Sequence, residues 1–290
     1  VKKKFKFFSG KYLTAAFASI SIFVVFFIFI FIFSQGLPLF SQISLPDFLF
    51  NFVWRPTAIP PSYGIAPLVI GSLLVTGLAL LIAVPLGLLG AIYISEIAHP
   101  RFKNLLKPVI EILSGIPSVV FGFFGLIVLV PLIQNTFNLP AGETALTGGI
   151  VLAFMILPTI LSISEDAMSS VPEDYKQASL ALGATRWKTI RSVTIPAAAS
   201  GITAGIVLGF GRAIGETIAV MMVTGGSPII PTSIFSPVRT MPQSIAAEMG
   251  EAVLGSTHYN ALFAIGIVLF VITFILSSFA SRLIKRSGGR

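Results

Sequence analysis

The sequence has no cysteine, only two histidines and few charged side chains. Without thiols it can form no structural disulfide and no thiolate metal centre, and its redox compartment leaves no mark. His99 and His258 stand far apart and suggest no metal constellation. Asp, Glu, Lys and Arg make up 10% of the 290 residues, against about 25% in a soluble globular domain. That deficit excludes an ordinary soluble fold. A G-x-x-x-x-G-K-[ST] run is also missing, so no P-loop is available to hold ATP. Gly148-Gly149 and Gly225-Gly226 read as turn or packing signals instead. Any ATP-driven motor has to be a separate chain.

What fills the sequence is apolar: 55% hydrophobic residues and a mean hydropathy of +0.95. About 20 apolar residues cross the hydrocarbon core as a helix. Six blocks qualify, at 13–33, 65–97, 105–134, 145–164, about 195–224 and 259–280. The expected fold class is therefore an all-α membrane protein with six transmembrane helices. The first block is too long for a signal peptide and runs into Phe33-Ser34-Gln35 rather than a small-x-small site, so a retained helix is expected. The second is longer than a membrane needs, and Pro85 is expected to kink it. Glu111, near the start of the third, reads as interfacial. Residues 34–64 carry five prolines and the aromatics Phe48, Phe50, Phe52 and Trp54. Aromatics of this kind anchor at a membrane boundary, so this segment and the polar 225–258 segment are placed outside.

The charges give the orientation. Sixteen of the nineteen Lys and Arg lie in the N-terminus, at 101–107, at 176–191 and in the C-terminus. Arg55 and Arg239 lie on the other side, and Arg212 falls within the fifth block. The positive-inside rule then sets both termini and the 165–192 loop in the cytoplasm. The net charge of +8 reflects topology and contact with the lipid bilayer. No basic motif is left for nucleic acid.

The longest stretch of mixed polar chemistry is 173–201. Pro172 suits a first helical position, Glu173 and Asp174 suit the positive end of the helix dipole, and Ser169 or Ser170 is available as a cap. Gly183 is the expected stop. Thr185 should cap a second short helix running through Arg191, and Pro196 should mark the start of the fifth span. Ala178, Ala181 and Leu182 fall on neighbouring positions of a helix face. Small side chains there allow close approach to a groove on another protein, and Trp187 suits the membrane surface. On composition alone the stretch is an ordinary cytoplasmic loop with an interfacial helix.

A charged residue inside a span faces a cavity or a partner. Arg212 and Glu216 are four residues apart and can meet on one helix face. Gly209, Gly211 and Gly215 let neighbouring helices approach. By spacing, a buried ion pair that fixes packing and an anion path are equally good readings. For the second, the planar Arg fork suits phosphate oxygens. Glu216 would moderate binding or accept a hydrogen bond from a protonated phosphate.

Two runs carry a family resemblance. QASLALGATRWKTIRSVTIPAAASGI resembles the EAA loop of type I ABC importer permeases. Gln177 stands where many members have Glu, Ala178 is the central alanine, Ser179 replaces the second alanine, and Gly183 and Ile195-Pro196 match. The resemblance implies a MetI-like permease core over 65–283, preceded by an added first helix within 1–64 and followed by a basic tail at 284–290. It implies that Glu173, Gln177, Ala178, Leu182, Gly183, Trp187 and Pro196 belong to the surface that packs into a cleft of the ATPase. GRAIGETIAVMMVTGGSP, with KPVIEILSGIPSVVFGFFGL upstream and STHYNALFAIGIVLFVITF downstream, is similar to PstC-type permeases of bacterial phosphate importers. Ile218-Ala219-Val220-Met221 fits that type better than the sister PstA type. This resemblance implies substrate-path roles for Arg212 and Glu216, and a place in the bacterial cytoplasmic membrane. The partners it implies are a PstA-like second permease, an ATP-binding cassette subunit dimer and an extracytoplasmic phosphate-binding protein docking on 34–64 and 225–258. ATP and Mg would sit on the ATPase, leaving this chain without cofactor or enzymatic activity. The loop does not select a ligand, so sulfate, molybdate or another oxyanion is an alternative, as is a membrane scaffold or sensor of phosphate status.

Overall fold

The computed structural model describes residues 2–287, with side chains described over 12–278 and at Arg282. Among the described residues, six helical stretches are long and apolar enough to cross a membrane: Tyr12–Ser41, Ala66–Ile97, Ser118–Phe137, Ala145–Ser169, Arg186–Ile214 and Thr257–Ser278. The first lies within α1 (Lys2–Gly36) and the 3-10 turn Leu37–Ser41. The proline- and aromatic-rich segment that follows forms α2 (Leu45–Phe50) and a small antiparallel pair, β1 (Trp54–Arg55) with β2 (Ser62–Tyr63). The second span is α3 (Ala66–Ile92), which carries Pro85 inside it and ends in a π-helical turn, Tyr93–Ile97.

The third block departs from expectation. Residues 105–114 belong to a separate helix, α4 (Pro100–Ser114), and the span begins only at Ser118. Pro117 disfavours helical backbone at Ile116, which splits the apolar run. The span is then α5 (Ser118–Phe124), a π-turn Gly125–Leu129 and α6 (Val130–Phe137). The fourth span is α7 (Ala145–Ser169). Next come α8 (Glu173–Ala181) and α9 (Arg186–Thr189), a π-turn Ile190–Thr194 and α10 (Ile195–Ile214). The fifth span thus does not start at Pro196, because helix runs without a break from Arg186 to Ile214. Both Pro131 and Pro196 follow a π-turn, where the widened backbone relaxes the ladder just ahead of a residue that cannot donate to it. The chain closes with α11 (Ile218–Val223), α12 (Met241–Glu248) and α13 (Thr257–Ser287).

The central helix is α7. It packs on α3 through Val75, Ala79 and Ala83, a ridge of residues four apart, set against Leu152, Met155, Ile156 and Ile160. It packs on α10 where Gly201, Gly205 and Gly209 meet Ala167, Ile163 and Ile160. An added Cβ at Gly209 would lie 2.8 Å from Ile160 Cγ1, so only glycine permits that approach. In lipid, close van der Waals contact of this kind replaces hydrophobic collapse as the packing force. Gly211 and Gly215 were expected to serve the same end and do not: a Cβ at Gly211 meets open space, and at Gly215 it meets only the carbonyl of Gly211. A second cluster joins Leu39, Phe48, Trp54, Leu68, Met241 and Leu262 at the end opposite α8. A third joins Ile92, Met168, Val171, Ile190, Ala198 and Ile202 near α8. The added helix α1 packs against α13, with Phe29 on Phe270 at 5.4 Å and Phe31 on Phe263 at 5.5 Å.

Candidate functional site

The 173–201 stretch begins as a helix without a side-chain cap. Pro172 occupies the cap position, and the two serines expected there are engaged elsewhere. Ser169 Oγ donates to Glu165 Oε1 at 2.6 Å, and Ser170 Oγ donates to the Asp166 carbonyl at 2.7 Å. Two serines within the last turn of α7 bond back to that helix more readily than forward across a proline. The stop falls as expected. Gly183 has φ +83°, its N–H donates to Leu180 O at 2.9 Å, and Ala184 N–H donates to Ser179 O at 3.2 Å. This is a Schellman ending, which glycine adopts without steric cost. Thr185 then caps α9, accepting from Lys188 N–H at 3.3 Å.

No residue of α8 is buried. Gln177, Ala178 and Pro196 are exposed, as are Glu173, Trp187 and Gly183, and Leu182 is 90% exposed. The structure thus brings Glu173, Gln177, Ala178, Leu182, Gly183 and Trp187 together on one projecting unit, with Pro196 two turns further along the helix that follows. The inner face of α8 is polar. Lys176 Nζ donates to Glu96 Oε1 at 2.8 Å, and Ser179 and Thr189 share a hydrogen bond of 2.9 Å.

Beside it stands a second charged cluster that sequence reasoning missed. Glu165, 2% exposed, lies within 2.8 Å of Lys103 Nζ and 2.9 Å of Lys107 Nζ, and Lys107 also reaches Asp166. Lys107 donates to the carboxylates of Asp166 and Glu165, and these bonds raise its pKa above the usual lysine value. These contacts hold α4 on the end of α7. The signal available in the sequence was two acids at the end of an apolar block and two lysines at i and i+4 in the preceding loop.

Arg212 and Glu216 do not share a helix. α10 ends at Ile214, and Glu216 lies in the break before α11. Its carboxylate accepts from Ala219 N–H at 3.2 Å and so caps α11. Arg212 Nη1 donates to Thr159 Oγ1 of α7 at 3.4 Å. Among the described residues no carboxylate lies within salt-bridge distance of Arg212, and both Arg212 and Glu216 are half-buried. The expectation of a pair meeting on one helix face is therefore corrected. α10 ends at Ile214 with Gly215 at its C-cap, and the Glu216 carboxylate reaches forward to the Ala219 N–H in the first turn of the next helix.

At the opposite end a single carboxylate gathers three donors. Glu248 accepts from Trp54 Nε1 at 3.0 Å and from Arg239 Nη1 at 2.6 Å, and it pairs with His258 Nε2 at 2.8 Å. Arg239 Nε also donates to the Gly226 carbonyl at 2.7 Å. Trp54, 194 residues away in sequence, is thereby fixed to the 226–258 stretch. His258 has a partner that its isolation in the sequence did not suggest.

Six apolar spans and an exposed helix α8 between the fourth and the fifth define a multi-pass membrane protein. Residues 83–288 match the family described as "Binding-protein-dependent transport system inner membrane component", and the chain belongs to that family. Among its relatives is a probable ABC transporter permease protein, YqgH of Bacillus subtilis, 46% identical over 92% of this chain and 87% of the relative. The phosphate transport system permease protein PstC of Mesorhizobium japonicum is 36% identical over 85% and 82%. A probable phosphate transport system permease protein PstC of Methanocaldococcus jannaschii is 34% identical over 92% and 91%. In fold, the chain matches a subunit of a bacterial alginate ABC transporter at a TM-score of 0.67, with 16% identity over 96% of this chain and 95% of that one. The MetI-like fold is confirmed, and the chain is a multi-pass membrane permease of an ABC importer, which works with an ATPase and a substrate-binding protein.

Proposed function

We propose that this chain is the PstC-type subunit of an ATP-driven importer of inorganic phosphate. It forms half of the path beside a PstA-like second permease. The single observation that carries an anion path through this chain is Arg212. It is a permanently charged guanidinium within a membrane span, held by a hydroxyl rather than neutralised by a carboxylate. A cation left in that state inside a membrane attracts an anion, and its fork fits two phosphate oxygens. Glu216 bonds Ala219 N–H at the start of α11 and so shapes the break that follows Arg212. The likeness to PstC relatives supports phosphate as that anion.

The exposed face of Glu173, Gln177, Ala178, Leu182, Gly183 and Trp187, with Pro196 at the base of α10, is the ATPase-coupling surface. ATP and Mg bind on the ATPase dimer, not on this chain. The positive-inside distribution supports cytoplasmic placement of α8 and of both termini in a bacterial cytoplasmic membrane. The Glu248 end then faces outward, where the phosphate-binding protein docks.

The test is Arg212→Gln in the complete complex. Lost phosphate uptake with all subunits still assembled is the expected result, and uptake at the parent level would return Arg212 to a packing role. Competition decides the substrate, because sulfate that competes as well as phosphate would overturn the choice of anion.

A further inference from the structure

The inner face of α8 makes two polar attachments, and they lead to different spans. Ser179 bonds Thr189, which continues through the Ile190–Thr194 turn into α10. Lys176 bonds Glu96, which lies in the π-turn that ends α3. These two residues are 80 apart in sequence, and their side chains are only 13% and 10% exposed. Glu173 approaches the same lysine at 3.8 Å from the exposed side. A cavity of about 250 Å3 borders the pair, lined by Glu96, Glu173, Lys176, Leu180, Arg186 and Thr189. The ion pair therefore spans a gap that apolar packing does not fill. Around Glu96 the turn is otherwise firmly seated, with Ile94 buried and Ser95 Oγ against Met168 Sδ at 3.6 Å.

We propose that Glu96 and Lys176 are positioning residues for coupling: they fasten α8 to α3, so that one push on α8 moves both α3 and α10. This rests on the reading of α8 as the ATPase-coupling surface. The argument is mechanical. α3 and α10 lie on α7 and present smooth ridges of small residues to it, with Ala79 and Ala83 on one and Gly205 and Gly209 on the other. Ridges of that kind can slide. α8 is joined along the chain to α7 through residues 170–172 and to the α10 limb through α9, so without the ion pair a displacement of α8 reaches α3 only through the apolar cluster of Ile92, Met168, Val171, Ile190, Ala198 and Ile202. A partly buried pair with a cavity at its side transmits both pull and push, because breaking it would strand two charges in low dielectric. The surrounding space lets the joint rotate while its bond holds.

The experiment uses the whole complex with both permeases, the ATPase and the binding protein, reconstituted in liposomes. Phosphate moved and ATP hydrolysed are measured together. Glu96→Gln and Lys176→Met are each expected to keep hydrolysis near the parent rate while phosphate moved per ATP falls on the order of ten-fold, within the range usual for coupling between two sites. The exchanged pair, Glu96→Lys with Lys176→Glu, should restore most of that ratio. A simple folding role would lower uptake and hydrolysis in proportion. An unchanged ratio in the single variants overturns the proposal, as does their failure to assemble or an exchanged pair no better than either single variant. Leu182→Asp, run in parallel, separates this inference from its foundation. If Leu182→Asp leaves hydrolysis and uptake intact, the coupling surface itself is misplaced. If it abolishes both while the Glu96 and Lys176 variants keep the parent ratio, only the fastening of α8 to α3 is wrong.

Discussion

The two ends of this molecule handle charge in opposite ways. At the Glu248 end one carboxylate satisfies Trp54, Arg239 and His258 at once, and the segment around it is locked further by a capping box at Thr240 and Gln243. At the α8 end the helix has no buried residue, and its apolar side chain at Leu182 stands in the open. The first surface is complete within the chain. The second is folded but unfinished, because its small and apolar groups have nothing of this chain to cover them. The difference separates a cap closed on itself from a helix left open.

Glu248→Ala should produce the largest loss of stability, on the order of 3 kcal/mol, because it leaves a partly buried arginine and an indole N–H without their acceptor. Chemical unfolding of the purified subunit in detergent measures it. A loss under about 0.5 kcal/mol, the usual effect of a surface substitution, would show that the cap is no more locked than the open helix. Thr240→Ala removes the helix cap of α12 and should cost about 1 kcal/mol in the same assay. Leu182→Asp should change the stability of the isolated subunit least, by less than about 0.5 kcal/mol, and yet abolish co-purification of the ATPase. A measurable destabilisation there would mean that α8 is part of the packed body after all.

The six spans were legible because a bilayer demands a minimum apolar length, and the sequence meets it six times. The left-handed stop at Gly183 and the cap at Thr185 were legible because each depends on one residue and its immediate neighbours. What was hidden depended on pairing across the fold. Glu165 with Lys103, Lys176 with Glu96, and Glu248 with His258 are joined only once the helices are packed. The break after Ile214 was misread for a local reason. A hydrophobic run on both sides of Gly215-Glu216 looks like one helix by composition, whereas the chain leaves the helix there and the Glu216 side chain bonds forward to Ala219 N–H. Arg212 consequently answers to Thr159 on a neighbouring span, a partner that no spacing rule within its own segment could supply.

The turn at Ile190–Thr194 joins α9 to α10 without interrupting the helix. It winds an extra residue into its circuit, so the stretches before and after it are out of phase by about 100°, the rotation of one residue. A stripe that begins beside Trp187 cannot continue along the face that carries Arg212. The faces of α9 and α10 are therefore held at a fixed offset on one rod. Turning α9 about the axis of that rod turns the face that carries Arg212 through the same angle.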